Sequence, residues 1–134
     1  MGKLYRTREG DTAAVNTKTQ LTTVASETAP GPLLVPQGVK KLLAVISSCM
    51  SDLGIAADGN VIMRLEGPGL PKGPETLVIG GFGVAVATGG VAARPAQRIE
   101  LDIDVTTGEE ILIFAENTGE DMTVINVAVT LEFR

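Results

Sequence analysis

The chain has 134 residues, enough for one domain with a core that needs no metal or disulfide support. It has no histidine and one cysteine, which removes the commonest general base, the usual zinc ligand and any intrachain disulfide. A net charge of −5 disfavours nucleic acid as a partner, and no run approaches the ~20 apolar residues of a membrane-spanning helix.

Residues 1–26 are rich in Thr, Ala and Lys and read as a polar amino-terminal arm or edge strand, with 17–25 favoured by its β-branched threonines. Lys3, Arg6 and Arg8 form a small basic cluster, but Glu9 and Asp11 follow at once, so a solvated segment explains it. The first eight residues lack the apolar core of a signal peptide, so synthesis as a soluble cytoplasmic protein is expected. Residues 27–134 read as one β-sandwich domain. Glu27 to Pro32 is a turn or corner, because two prolines flank Gly31, Leu33-Leu34-Val35 is short and extended, and Pro36-Gln37-Gly38 turns the chain again.

Val39 to Ser47 is the strongest early strand. Cys49 follows in an apolar run and reads as a buried, inert thiol, because no histidine is present to activate it. Residues 51–60 read as a loop turning at Asp58-Gly59-Asn60, and 61–66 as a strand with Val61, Met63 and Leu65 on one side. Gly67 to Pro74 holds three glycines and three prolines and must be a loop. Thr76 to Ile79 is a short strand, Gly80-Gly81-Phe82-Gly83 interrupts it, 84–87 resumes it and Thr88-Gly89-Gly90 ends it.

From Ile99 to Val105 apolar and acidic residues alternate strictly, the period of a sheet with one dry and one wet face. Thr106 to Glu109 turns, Glu110 to Ala115 is an almost wholly apolar strand, and Asn117 to Glu120 turns again. The last strand, from about Asp121 to Phe133, sets Ile125, Val127, Val129, Leu131 and Phe133 on one face and Asn126, Thr130 and Glu132 on the other. The fold class is therefore all-β: a single-domain antiparallel sandwich of about eight strands, jelly-roll-like.

No catalytic, cofactor-binding or metal-binding residue is assigned, and no cofactor is expected. Glu100, Asp102 and Asp104 form an acidic row on one strand face. Calcium needs 6–8 oxygens converging from several segments, so a solvated face partnered by Arg64 or Arg98 is the better reading. The glycine clusters lack the lysine and following helix of a phosphate-binding loop, and Ser47 and Ser48 lack a base. An enzyme is not expected.

The chain is 44% apolar but only 20% charged, below the usual ~25%, so part of its outer surface is a candidate for burial against other copies. The Pro36-Gln37-Gly38 turn before Val39 to Ile46, the loop from Gly67 to Pro74, and a closing hairpin whose last strand ends at Phe133 give it a strand pattern. That pattern resembles single jelly-roll proteins of virus particles, both capsid and decoration subunits. The resemblance implies a non-enzymatic structural protein that self-assembles as a trimer or higher homo-oligomer, located in a virion or another extracellular particle. A cage, tube or filament subunit shares these traits. The alternative is a ligand-binding β-sandwich module for calcium or a glycan.

Overall fold

The computed structural model describes residues 2–12, 18–24, 31–52, 57–70, 77–86, 91–117 and 125–134. They form nine strands: β1 (Leu4–Thr12), β2 (Lys18–Gln20), β3 (Leu33–Leu34), β4 (Lys41–Asp52), β5 (Ala57–Glu66), β6 (Leu77–Val86), β7 (Val91–Asp104), β8 (Glu110–Asn117) and β9 (Ile125–Phe133). One sheet has the order β1-β9-β4-β7; the other has β2-β8-β5-β6, with β3 also on β8. Every pairing is antiparallel. The two sheets pack as a sandwich, and β2 and β3 share one edge of β8, so eight strand positions are filled.

This strand order is that of a jelly roll, in which the chain keeps crossing between sheets. Among the described strands only β5 and β6 pair as sequence neighbours; β8 and β9 lie in different sheets, so they do not form the expected closing hairpin. Instead β9 lies between β1 and β4, whose paired residues are about seventy-five or more positions away in sequence. Alternation correctly assigns β9 its inner face, yet it carries no information about which strands flank it.

The core follows from that alternation. Val127, Val129, Leu131 and Phe133 of β9 meet Leu42 and Val45 of β4, and Val61, Met63 and Leu65 of β5 meet Ile111, Ile113 and Ala115 of β8. Leu101, Ile103 and Val105 pack against the same core from the β7 side. The predicted burial of Cys49 holds, at 4% exposure.

Several expected boundaries move. Leu4–Thr12 is a full edge strand, pairing residue for residue with β9, at a place where no strand is expected, and within the expected edge strand over 17–25 the short β2 (Lys18–Gln20) pairs with β8. β4 runs on to Asp52 and β5 begins at Ala57, so Asp58-Gly59-Asn60 is strand and not turn. Gly80-Gly81-Phe82-Gly83 does not interrupt β6, because pairing with Asn60 to Met63 holds the glycines in the ladder, and a bulge takes up the irregularity between Met63 and Arg64. β7 is one strand of 14 residues. The turns expected at Thr88-Gly89-Gly90 and at 118–120 lie outside the described residues.

Two turns at one end of the sandwich fall where expected. Gly38 and Gly108 sit at φ 85° and 84°, a conformation that glycine adopts without the Cβ penalty. Backbone hydrogen bonds from Val35 N to Glu109 O, Gly108 N to Val35 O and Val105 N to Lys40 O tie the two turns together. Lys40 N and Lys41 N both donate to Arg134 O, which fastens the end of β9 to the start of β4.

Candidate functional site

On the outer face of the β1-β9-β4-β7 sheet, Glu132 stands between Tyr5 of β1 and Ala44 of β4, with Glu100 of β7 beyond Ala44. The small Ala44 side chain leaves room above β4. Arg98, one step along β7, reaches across and donates from Nη2 to Glu132 Oε2, while its Nε donates to Glu100 Oε1. Tyr5 donates its phenol to Glu132 Oε1 at 2.8 Å, and Lys3 Nζ lies 3.2 Å from the same oxygen. Glu132 is thereby 1% exposed on a face that strand alternation marks as wet.

These contacts fix the ionisation of the cluster. The Arg98 guanidinium above all, with the Tyr5 hydroxyl and Lys3, holds the Glu132 carboxyl at about 2 despite burial, against an ordinary value of 4.5. The same bond raises the Tyr5 phenol above its ordinary 10.0. At neutral pH the carboxylate stays ionised and the phenol stays protonated, so this pair is a clamp across β1, β9 and β7 and not a proton-transfer couple.

The acidic row divides between two cations. Glu100 takes Arg98, as expected, whereas Asp102 and Asp104 share Lys41 at 3.1 and 2.8 Å. Those carboxylates, Asp104 first, raise the Lys41 ammonium above its ordinary range. Arg64 is not their partner: it lies on the other sheet, 3.7 Å from Glu116. Local pattern could not decide this, because the two arginines are separated by the sheet order. No group of three or more carboxylate or thiol ligands placed to hold a metal ion occurs among the described residues.

The outer face of the second sheet has a different character. Ile62 of β5 and Leu112 and Phe114 of β8 point away from the core and are half-buried. Lys18 of β2 lies over the Phe114 ring, its Nζ 4.4 Å from the centroid, and reaches Glu66 of β5 at 2.9 Å. With Arg64–Glu116, this makes two cross-strand ion pairs interleaved with an apolar patch, because Ile62 pairs with Glu116, Phe114 with Arg64 and Leu112 with Glu66. Sequence reading missed the patch. Its signal is the unbroken apolar run of β8, which marks a strand covered on both faces.

β1 is an edge strand, and its cationic side chains guard it. Arg6 Nη1 donates to Tyr5 O at 2.9 Å and Arg8 Nη1 to Thr7 O at 2.8 Å, while Arg8 Nε donates to Gly31 O at 2.7 Å. Glu9 and Thr23 exchange backbone hydrogen bonds beside them. The basic cluster expected to be a solvated segment thus occupies carbonyls that an added strand would use.

Ser47 faces the core at 1% exposure, and its hydroxyl has no hydrogen-bond partner among the described residues. A buried hydroxyl without a partner is a net cost, so Ser47→Ala is expected to raise unfolding free energy by about 1 kcal/mol. Urea denaturation checks this; an unchanged or lowered midpoint would show that the hydroxyl is satisfied.

No protein-family model matches the chain. No curated protein matches it either. Among the solved structures that match is the crystal structure of FLHE, at 12% identity and a TM-score of 0.41, covering 100% of this chain and 99% of that one. This corrects the resemblance to virus-particle proteins: FLHE is not a virus-particle protein, and the virion and capsid assignments lapse with that resemblance. Neither the activity nor the partners of FLHE transfer to this chain at that level of similarity.

Proposed function

We propose that the protein is a non-enzymatic structural subunit that associates with copies of itself through the outer face of the β2-β8-β5-β6 sheet. The observation that carries the reading is the set of half-buried apolar side chains Ile62, Leu112 and Phe114 on that face, interleaved with the Lys18–Glu66 and Arg64–Glu116 pairs. Apolar side chains clustered on an outward sheet face gain free energy when a second surface removes them from water. The low charged fraction of the chain supports the same reading.

The chemistry of the other face supports a structural role. Glu132, Tyr5, Arg98 and Lys3 hold one another in fixed charge states, and Lys41 is committed to Asp102 and Asp104. A cage, tube, filament or small closed oligomer would each use these properties.

The test is mass measurement by size-exclusion chromatography with light scattering. The wild type is expected to exceed the monomer mass of 13.9 kDa, and Phe114→Lys to elute as a folded monomer with a melting temperature lowered by the loss of the Lys18–ring contact and by the facing Arg64. Phe114→Lys associating as the wild type does would show that another surface is used.

A further inference from the structure

We propose that a pocket at the end of the sandwich, where β1 begins and β9 finishes, binds a small aliphatic monocarboxylate. The pocket has a volume of about 330 Å³ and is formed by residues of three segments: Lys3 and Leu4, the Gln37-Gly38-Val39 turn, and Arg134. It lies at the end of the sandwich and shares only Lys3 with the Glu132 cluster described above.

Its walls set the class of ligand. Val39, 5% exposed, forms a buried apolar side, while Leu4 is 38% exposed and one of three large hydrophobic side chains left open among the described residues. An alkyl chain laid between them would cover apolar surface that water now contacts. The positions are set by the fold: Leu4 pairs with Phe133 at the end of the β1–β9 ladder, and the positive φ of Gly38 turns the chain back over it.

The charges at the pocket set the head group. Two cations line it, but they are not equivalent. Lys3 is spent in part on Glu132, at 3.2 Å, whereas the Arg134 side chain has no ion pair among the described residues. A guanidinium presents paired donors that match the two oxygens of a carboxylate. One uncommitted cation above a mostly apolar pocket fits one negative charge; a phosphate would call for a denser set of donors. Lys40, exposed beside Val39, adds positive potential at this end of a chain whose net charge is −5.

The length of the ligand follows from the volume. A chain of about eight carbons fills a pocket of this size, near the lower limit for small-molecule sites, and with so few atoms the expected dissociation constant is on the order of 1 mM. Butyrate, which loses four methylenes of burial, is expected to bind about a hundredfold more weakly. Octylamine keeps the alkyl body and reverses the charge, so it should not saturate the site.

Amide chemical-shift titration of the full chain with sodium octanoate tests the proposal. Saturable shifts are expected at Leu4, Gly38 and Val39, with Arg134→Gln weakening octanoate by about fivefold or more at an unchanged melting temperature. Leu4→Glu, which puts a like charge in the wall, should abolish the shifts at Gly38 and Val39. No saturable change at those amides would overturn the proposal. So would equal binding of octylamine, equal affinity in Arg134→Gln, or shifts centred on Phe114.

Discussion

Replacing Glu132 with alanine is expected to lower the melting temperature by ~10 °C, a large effect for one side chain on an outer sheet face. The substitution leaves Arg98 without its buried partner, strips Tyr5 of its acceptor and releases Lys3. Arg98→Ala should cost less, because Glu132 keeps Tyr5 and Lys3 and because Arg98 is 40% exposed. The double variant should melt well above the temperature that the two single losses would sum to, since both remove the same bond. Thermal melts of all four proteins check this, and Glu132→Ala melting within ~2 °C of the wild type would contradict the clamp.

The same residue gives the acid limb a definite sign. Its carboxyl sits at about 2 in the folded chain against 4.5 ordinarily, so the folded state favours the ionised form. That contribution is fully present above pH 4.5 and is lost as pH falls from there towards 2. Glu132→Gln, which cannot titrate, is therefore expected to lose less stability than the wild type between pH 5 and pH 2. Parallel acid profiles for the two proteins would show that Glu132 is not the group responsible.

Phe133→Ala is expected to cost ~3–5 kcal/mol, through lost burial and the cavity left behind. Phe133 is fully buried, is the largest such side chain described, and pairs with Leu4 of β1 and Leu42 of β4 at the end where β9 is fastened. Domains of this size are commonly stable by ~5–15 kcal/mol, so the variant should be measurably unfolded at modest urea. A shift below ~1 kcal/mol would mean that this end of the core collapses onto the vacancy.

The inner faces of β4, β5, β8 and β9 were legible because burial on a strand repeats every second residue, and Val61, Met63, Leu65, Val127, Val129 and Leu131 fall where alternation puts them. The register was not legible. Glu132 meets Tyr5 across 127 positions and Arg98 across 34, and nothing in the local pattern of β9 reports either neighbour. The same gap made Arg64 a plausible partner for the acidic row until the sheet order put it beside Glu116. Glycine misled at β6, where Gly80, Gly81 and Gly83 read as a break but lie within a paired strand.

The apolar patch on the second sheet was half-legible. Leu112 and Phe114 alternate with Ile111 and Ile113, so β8 is apolar on both sides, yet only the structure sets Ile62 opposite Glu116, diagonal to Phe114, and Lys18 over the ring. Salt is expected to screen the Lys18–Glu66 and Arg64–Glu116 pairs and the repulsion between chains of net charge −5, without weakening apolar contact. Sedimentation velocity of the purified protein over a hundredfold concentration range, at low and high salt, is the most direct test of self-association. A sedimentation coefficient that rises with concentration, and rises further in high salt, is the expected result. A single monomeric species at every concentration and in both salts would contradict it.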